Sequence, residues 1–221
     1  MVNRRQVVKL FTSHGFVNKG GTRHDRYEHS DGRWTVIERH KEINDRLFEL
    51  MKKQAGLKET HRSYRAAREK DADMLHVYEF EVFEDDGMLL AVPYDMDGGT
   101  QGRDMREVAE MAADWLQLEM EHRAMRNLPF PEATFGNTPR NGGENMVVAV
   151  SAGIETVPRM TMAEAARRLG VTRGRVSQMV SSGQLETLEL DGRTWVTGYS
   201  VDARIAEQPK AGRPKKEHAR A

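Results

Sequence analysis

Residues 20–40, GGTRHDRYEHSDGRWTVIERH, decide the fold of the N-terminal block. Ser30-Asp31-Gly32 is a turn signal between two runs rich in strand formers, residues 23–29 and 34–38. Alternation across the first run sets Arg23, Asp25, Tyr27 and His29 on one face, and His24, Arg26 and Glu28 on the other. Working outward, Arg5 to His14 places Val7, Val8, Leu10 and Phe11 at helical spacing and ends at His14-Gly15. Downstream, Leu47, Leu50 and Met51 predict a helix from about Asn44 to Gln54, stopped by Ala55-Gly56. The block therefore reads α-β-β-β-α over residues 1–57.

Residues 58–74 lack apolar periodicity and read as a solvated linker. The next block, 75–151, opens with alternation: Val77, Glu79, Glu81 and Phe83 interleave with Tyr78, Phe80 and Val82. Asp85-Asp86-Gly87 turns this strand into Met88–Pro93. A helix follows over about Met105 to Met125, with Val108, Met111, Ala112, Trp115 and Leu118 facing inward, and an apolar strand closes the block at Glu144–Val150. Strands with one long helix predict a small α+β layer. In residues 158–199, Thr161 and Glu164 have capping-box spacing, and Ala165, Ala166 and Leu169 line one helical face. Gly170 turns into a second helix capped by Thr172, and a hairpin around Asp191-Gly192 follows. Residues 200–221 read as a polar, basic, disordered tail in which Gly212-Arg213-Pro214 has the form of a minor-groove insert.

Of the 221 residues, 38% are hydrophobic and 31% charged, a balance that favours several small cores over one large one. Cysteine is absent, which excludes disulfides, thiolate metal sites and thiol nucleophiles. No apolar run approaches the ~18 residues of a membrane span, and the N-terminus lacks a signal-peptide core, so the expectation is a soluble cytoplasmic protein. The formal net charge of zero hides segregation: +5 over residues 1–57, +1 over 58–74, −11 over 75–157 and +5 over 158–221. Two basic blocks suited to polyanions thus flank an acidic one suited to basic protein.

Metal-free RNA cleavage needs one group to take the 2′-OH proton and another to donate to the leaving oxygen. Histidine as a residue type suits such proton transfer near neutral pH, which makes His24 a candidate, and Arg23 or Arg26 can stabilise phosphorane charge. His14, His29 and His40 are expected to be surface or packing residues. His24 and His29 lie on opposite strand faces, which argues against a three-histidine metal site, so no metal and no cofactor are expected. Glu79, Glu81, Asp95 and Asp97 read as an acidic solvated face or as a phosphate mimic toward the first block.

Residues 1–57 resemble the HicA toxin family in the opening RQVVKLFTSHGF, in GGTRHDRYEH, in the DGR turn, in VIERHKEI and in the closing LMKKQAGL. The resemblance implies a double-stranded-RNA-binding-domain-like fold and an mRNA endoribonuclease with His24 catalytic and Arg23, Arg26 and Arg39 on RNA. Glu38 stands where that family usually has proline, adding an acid near the site. Residues 75–151 resemble the HicB antitoxin family in HVYEFEVFEDDGMLLAVPYDMDGGTQG and the helix after it, implying a partial RNase H-like layer that covers the toxin. Residues 158–199 resemble excisionase-like or MerR-like winged helix-turn-helix domains. Arg167, Arg168, Thr172, Arg173, Arg175, Ser177 and Gln178 are the expected DNA contacts.

Together the resemblances imply an α+β chain of three small domains that fuses toxin, antitoxin and an autoregulatory DNA-binding domain. Its partners would be mRNA, operator DNA and the toxin–antitoxin contact itself, within or between chains, in a homo-oligomer. A flexible linker of about 16 residues spans roughly 20–25 Å, an effective concentration near millimolar, so modest affinity would silence the toxin. The alternative is a transcriptional repressor with a catalytically dead first domain, or a regulator that binds RNA without cutting it.

Overall fold

A computed structural model describes residues 1–57 and 74–207. The linker expected at 58–74 lies outside them except for Met74, and so does the minor-groove-insert segment at 212–214.

The first block follows the expected order. A short strand β1 (Val2–Asn3) pairs with β5 (Glu42–Ile43) and brings the starts of the two helices together. Helix α1 (Arg4–Ser13) is capped by Asn3, whose side chain accepts from Arg5 N–H; helix α2 (Asp45–Gln54) is capped by Asn44, which accepts from Arg46 and Leu47 N–H. Between them β2 (Val17–Gly20), β3 (His24–Glu28) and β4 (Trp34–Glu38) form an antiparallel sheet in that order. Val7, Phe11, Tyr27, Ile37, Leu47 and Met51 close its core. The register opposes His24 to Glu38, Arg26 to Val36 and Glu28 to Trp34, so these six share the other sheet face. That face is not solvated: every residue of β3 and β4 is buried.

The second block supplies one cover. β6 (Met74–Asp85), β7 (Met88–Pro93), β8 (Thr100–Gly102) and β9 (Glu144–Ala152) make an antiparallel sheet of order β8-β7-β6-β9. Asp86 and Gly87 both have positive φ in the hairpin that the sequence predicted. Helix α3 (Met105–Arg126) is capped by Asp104 and stopped at left-handed Asn127. Its expected inward residues are buried, but so are Leu116, Glu119, Met120, Glu121 and His122. The C-terminal half of the helix is buried on two faces because it packs between its own sheet and Trp34 and Val36 of the first block.

The third block holds β10 (Arg159–Met160), α4 (Met162–Leu169), α5 (Arg173–Ser181), β11 (Thr187–Leu190), β12 (Arg193–Thr197) and α6 (Gly198–Glu207). Thr161 and Glu164 form the capping box, Gly170 takes the left-handed conformation between α4 and α5, and β10-β12-β11 is the sheet order. The disordered tail expected from residue 200 is corrected by α6. Tyr199, Ser200, Val201 and Ala203 are buried because α6 closes the small core on one side and packs along β2 on the other. Gly20, at φ +78°, meets Tyr199 so closely that a Cβ there would collide with the Tyr199 carbonyl.

Candidate active site and its cover

His24 opens β3 and is fully buried. Its Nδ1–H donates to Asp114 Oδ2 at 2.6 Å, and its Nε2 lies 2.8 Å from Thr100 Oγ1. The Asp114 carboxylate also accepts from the backbone N–H of Arg23 (3.3 Å) and His24 (3.2 Å) and from the Thr22 hydroxyl. Two successive backbone donors, a hydroxyl and an imidazole around one carboxylate are a nest of the kind that also holds phosphate. Arg23 reaches Glu110 Oε2, one turn earlier on α3, at 2.6 Å.

Further along the same face, the Arg26 guanidinium is sealed in. It pairs with Glu186, in the turn before β11, and its Nη1 donates to His122 Nδ1 at 3.3 Å. Burial, then the Arg26 charge, hold His122 well below the ordinary histidine range, which leaves Nδ1 a neutral acceptor stacked against Trp34. Arg126 of α3 bridges Glu28 at 2.5 Å and Glu186 at 3.0 Å. Lys19 donates to the Gly183 carbonyl at 2.5 Å, and burial lowers its pKa. The strand face is therefore capped by α3 at the His24 end and by the third block at the Arg26 end.

Arg39 points elsewhere. It bonds Asp25 Oδ1 at 2.8 Å and the Gly21 carbonyl at 3.0 Å, which braces the loop before His24. His40 is not a bystander: its Nε2–H meets Glu107 Oε1 at 3.0 Å and its Nδ1 lies 3.3 Å from Glu38 Oε2. Those carboxylates, Glu38 foremost, raise the His40 pKa to about 9. His14 and His29 are local, bonding the Leu10 carbonyl and Asp31.

Glu79, Glu81 and Asp95 are neither a solvated face nor a mimic. Glu79 accepts from Gly136 and Asn137 N–H, Glu81 from Asn141 and Gly143 N–H, and Asp95 from Thr134 N–H and hydroxyl. They pin the Gly/Asn-rich loop over the sheet. Asp97 alone of the four meets the first block, 3.2 Å from Lys53 Nζ. The acids on the site are Asp114, Glu110, Glu107 and Glu186, which sequence reasoning missed; the only sequence signal for the first three is their i, i+3 and i+4 spacing on α3.

In the third block, Arg167, Arg173, Arg175, Ser177 and Gln178 are exposed. Thr172 caps α5 by accepting from Arg175 N–H at 3.2 Å, Ser177 Oγ donates to the Arg173 carbonyl, and Arg175 reaches Gln178 at 3.2 Å. Arg168 pairs with Asp202 of α6 at 2.6 Å. Among the described residues, no group of three or more His, Asp or Glu is arranged to hold a metal ion, and no helix is long and apolar enough to cross a membrane.

No curated protein and no solved structure matches the chain. Residues 4–57, the α1-to-α2 block whose His24 face lies under the cover, match the family described as HicA toxin of bacterial toxin-antitoxin.

Proposed function

We propose that the chain is a fused toxin–antitoxin: a metal-independent mRNA endoribonuclease domain, residues 1–57, silenced in cis by residues 75–157 and autoregulated through residues 158–199. One observation carries the reading: His24 is fully buried, with Asp114 filling the nest at its Nδ1. Asp114 stands in for the RNA phosphate, and His24, Arg23 and Arg26 are the groups RNA would meet once α3 withdraws. The resemblance of residues 75–151 to HicB antitoxins, and a four-stranded antiparallel sheet whose one long helix lies on His24, agree with an antitoxin role. For the third block, α4 and α5 joined at Gly170 and followed by a hairpin agree with a winged helix-turn-helix. Exposed Arg173, Arg175, Ser177 and Gln178 suit operator DNA, with Arg167 and Arg168 on the backbone. A palindromic operator would call for a homo-oligomer, and a cytoplasmic location fits mRNA and DNA as partners.

A transcriptional repressor with a dead first domain is the second reading. It is favoured by the closed RNA face standing beside an open α5 face. Expression of residues 1–73, wild type and His24→Ala, separates the two. Growth arrest and cleavage of purified RNA by wild type alone support the toxin; a well-folded wild-type fragment with neither effect leaves the repressor.

A further inference from the structure

Among the buried polar groups of the sealed face, Glu38 is the carboxylate with neither oxygen hydrogen-bonded, its one close charge being His40. Glu38 lies directly opposite His24 across the β3–β4 pair, on the same sheet face, and is fully buried. Such cross-strand neighbours hold their Cβ atoms ~4.5–5.5 Å apart, whether or not anything covers the sheet. Neither Glu38 oxygen receives a hydrogen bond of acceptable geometry; His40 Nδ1 at 3.3 Å makes an ion pair of the wrong angle. The two acids of α3 nearest the pair are, by contrast, satisfied: Asp114 by the nest and Glu107 by Arg103 and His40. Buried carboxylates are seldom left bare without a reason, and catalysis is a common one.

We propose that Glu38 is the second catalytic residue, the general base to His24 as general acid. This deepens the endoribonuclease reading and rests on it. With α3 withdrawn, the scissile phosphate takes the nest that Asp114 now fills. Glu38 accepts the 2′-OH proton while the 2′-oxygen attacks phosphorus. The bond to the 5′-oxygen breaks, and the His24 imidazolium donates its proton to that oxygen. The products are a 2′,3′-cyclic phosphate and a 5′-hydroxyl, and the two residues regain their starting protonation through water. No metal or co-reactant is consumed.

The groups facing this pair are His40 on the same strand end, Thr100 and Gln101 of β8, and Asp114 and Glu107 of α3. Of these, only His40 stays when the cover leaves. Burial raises the Glu38 pKa, and the His40 charge 3.3 Å from Glu38 Oε2 opposes that rise by favouring the carboxylate.

The test uses the full chain with its cover opened by charge reversal, Asp114→Arg with Glu110→Arg. Opening is scored by diethylpyrocarbonate modification of His24, and Glu107→Arg is added until His24 reacts. In that background, cleavage of an RNA oligonucleotide is followed from pH 4 to 9 with Glu38, Glu38→Gln, Glu38→Asp and His24→Ala. Glu38→Gln is expected to slow cleavage by ~10²–10⁴-fold and to abolish the acid limb of the profile. Glu38→Asp should partly restore both, and binding of the 2′-deoxy analogue should be unchanged. An unaltered rate and acid limb in Glu38→Gln would overturn the proposal and leave the endoribonuclease standing. An opened chain with reactive His24 that cuts no RNA would overturn both.

Discussion

At the residue scale, the decisive contact is one carboxylate against one short loop. Asp114 is the acceptor for a hydroxyl, two backbone N–H groups and the His24 ring, buried at the His24 end and open to solvent at Thr22 and Arg23. Asp114→Ala would leave those donors with no acceptor, and a bond to a charged group contributes ~1.5–3 kcal/mol. The expected outcome is a loss of about 2–4 kcal/mol, a fall in Tm of roughly 5–12 °C by calorimetry for a chain of this size. The loss should shrink in a His24→Ala background, because the removed acceptor then has fewer stranded donors. Full additivity of the two substitutions would deny the coupling. For His24 the strand and the face were legible from alternation over residues 23–29, its catalytic role was only implied by the family resemblance, and its burial was not legible. Asp114 was not, since it sits 90 residues away and looks like any polar position on an amphipathic helix.

The element that converts this contact into a cover is α3. Its sequence reads as one apolar stripe, and that stripe is correct, yet Glu119, Glu121 and His122 are buried as well. Periodicity reports the face turned to the helix's own sheet; it cannot report a second face covered by another block. The second face carries the titrations. Burial lifts Glu119 to about 7, while Gln54 of the first block and Arg123 bond its oxygens. His40, held up to about 9 by Glu38 and Glu107, clamps the other end. Both groups bind a proton more tightly folded than unfolded, so the unfolded chain binds fewer protons and stability must fall as pH rises. The Glu119 contribution is complete below about 4.5 and lost through about 7; the His40 contribution is complete below about 6.5 and lost through about 9. Above about pH 6.5, where His122 and His76, held below the ordinary histidine range, no longer act with the opposite sign, thermal melts should therefore decline up to pH 9. His40→Gln should flatten the upper half of that decline and leave the lower half in place. A rise in Tm with pH across this window would reverse the sign and discard the account.

For the whole molecule, the segregated charge pattern was legible, whereas two of the three buried hydrophobic clusters cross the boundaries between the blocks. What composition could not convey is that the third block packs on the first. Its net charge repeats that of the first block, so charge alone predicts repulsion; the contact is made instead by one acid, Glu186, and by the closely fitted α6. Glu186 pairs with Arg26 and Arg126 at a point where Arg26 and Glu186 are both almost wholly buried. Truncating one partner of a buried ion pair costs about 3–5 kcal/mol, because the other charge is left without compensation. The same truncation has a consequence specific to this architecture. Asp114 and Thr100 would still sit on His24, while the Lys19–Arg26 end of the strand face would be released from the third block. Glu186→Ala should then let the full chain bind a single-stranded RNA whose affinity drops steeply with salt, as expected when only backbone phosphates are met. Cleavage should remain absent, since the His24 nest stays filled. Fluorescence anisotropy at low and high salt, with the wild-type chain as reference, reads this directly. RNA binding equal to that of the wild type would mean that α3 alone closes the face and that the third block is a passenger. Binding together with cleavage would mean that the two ends of the cover open as one.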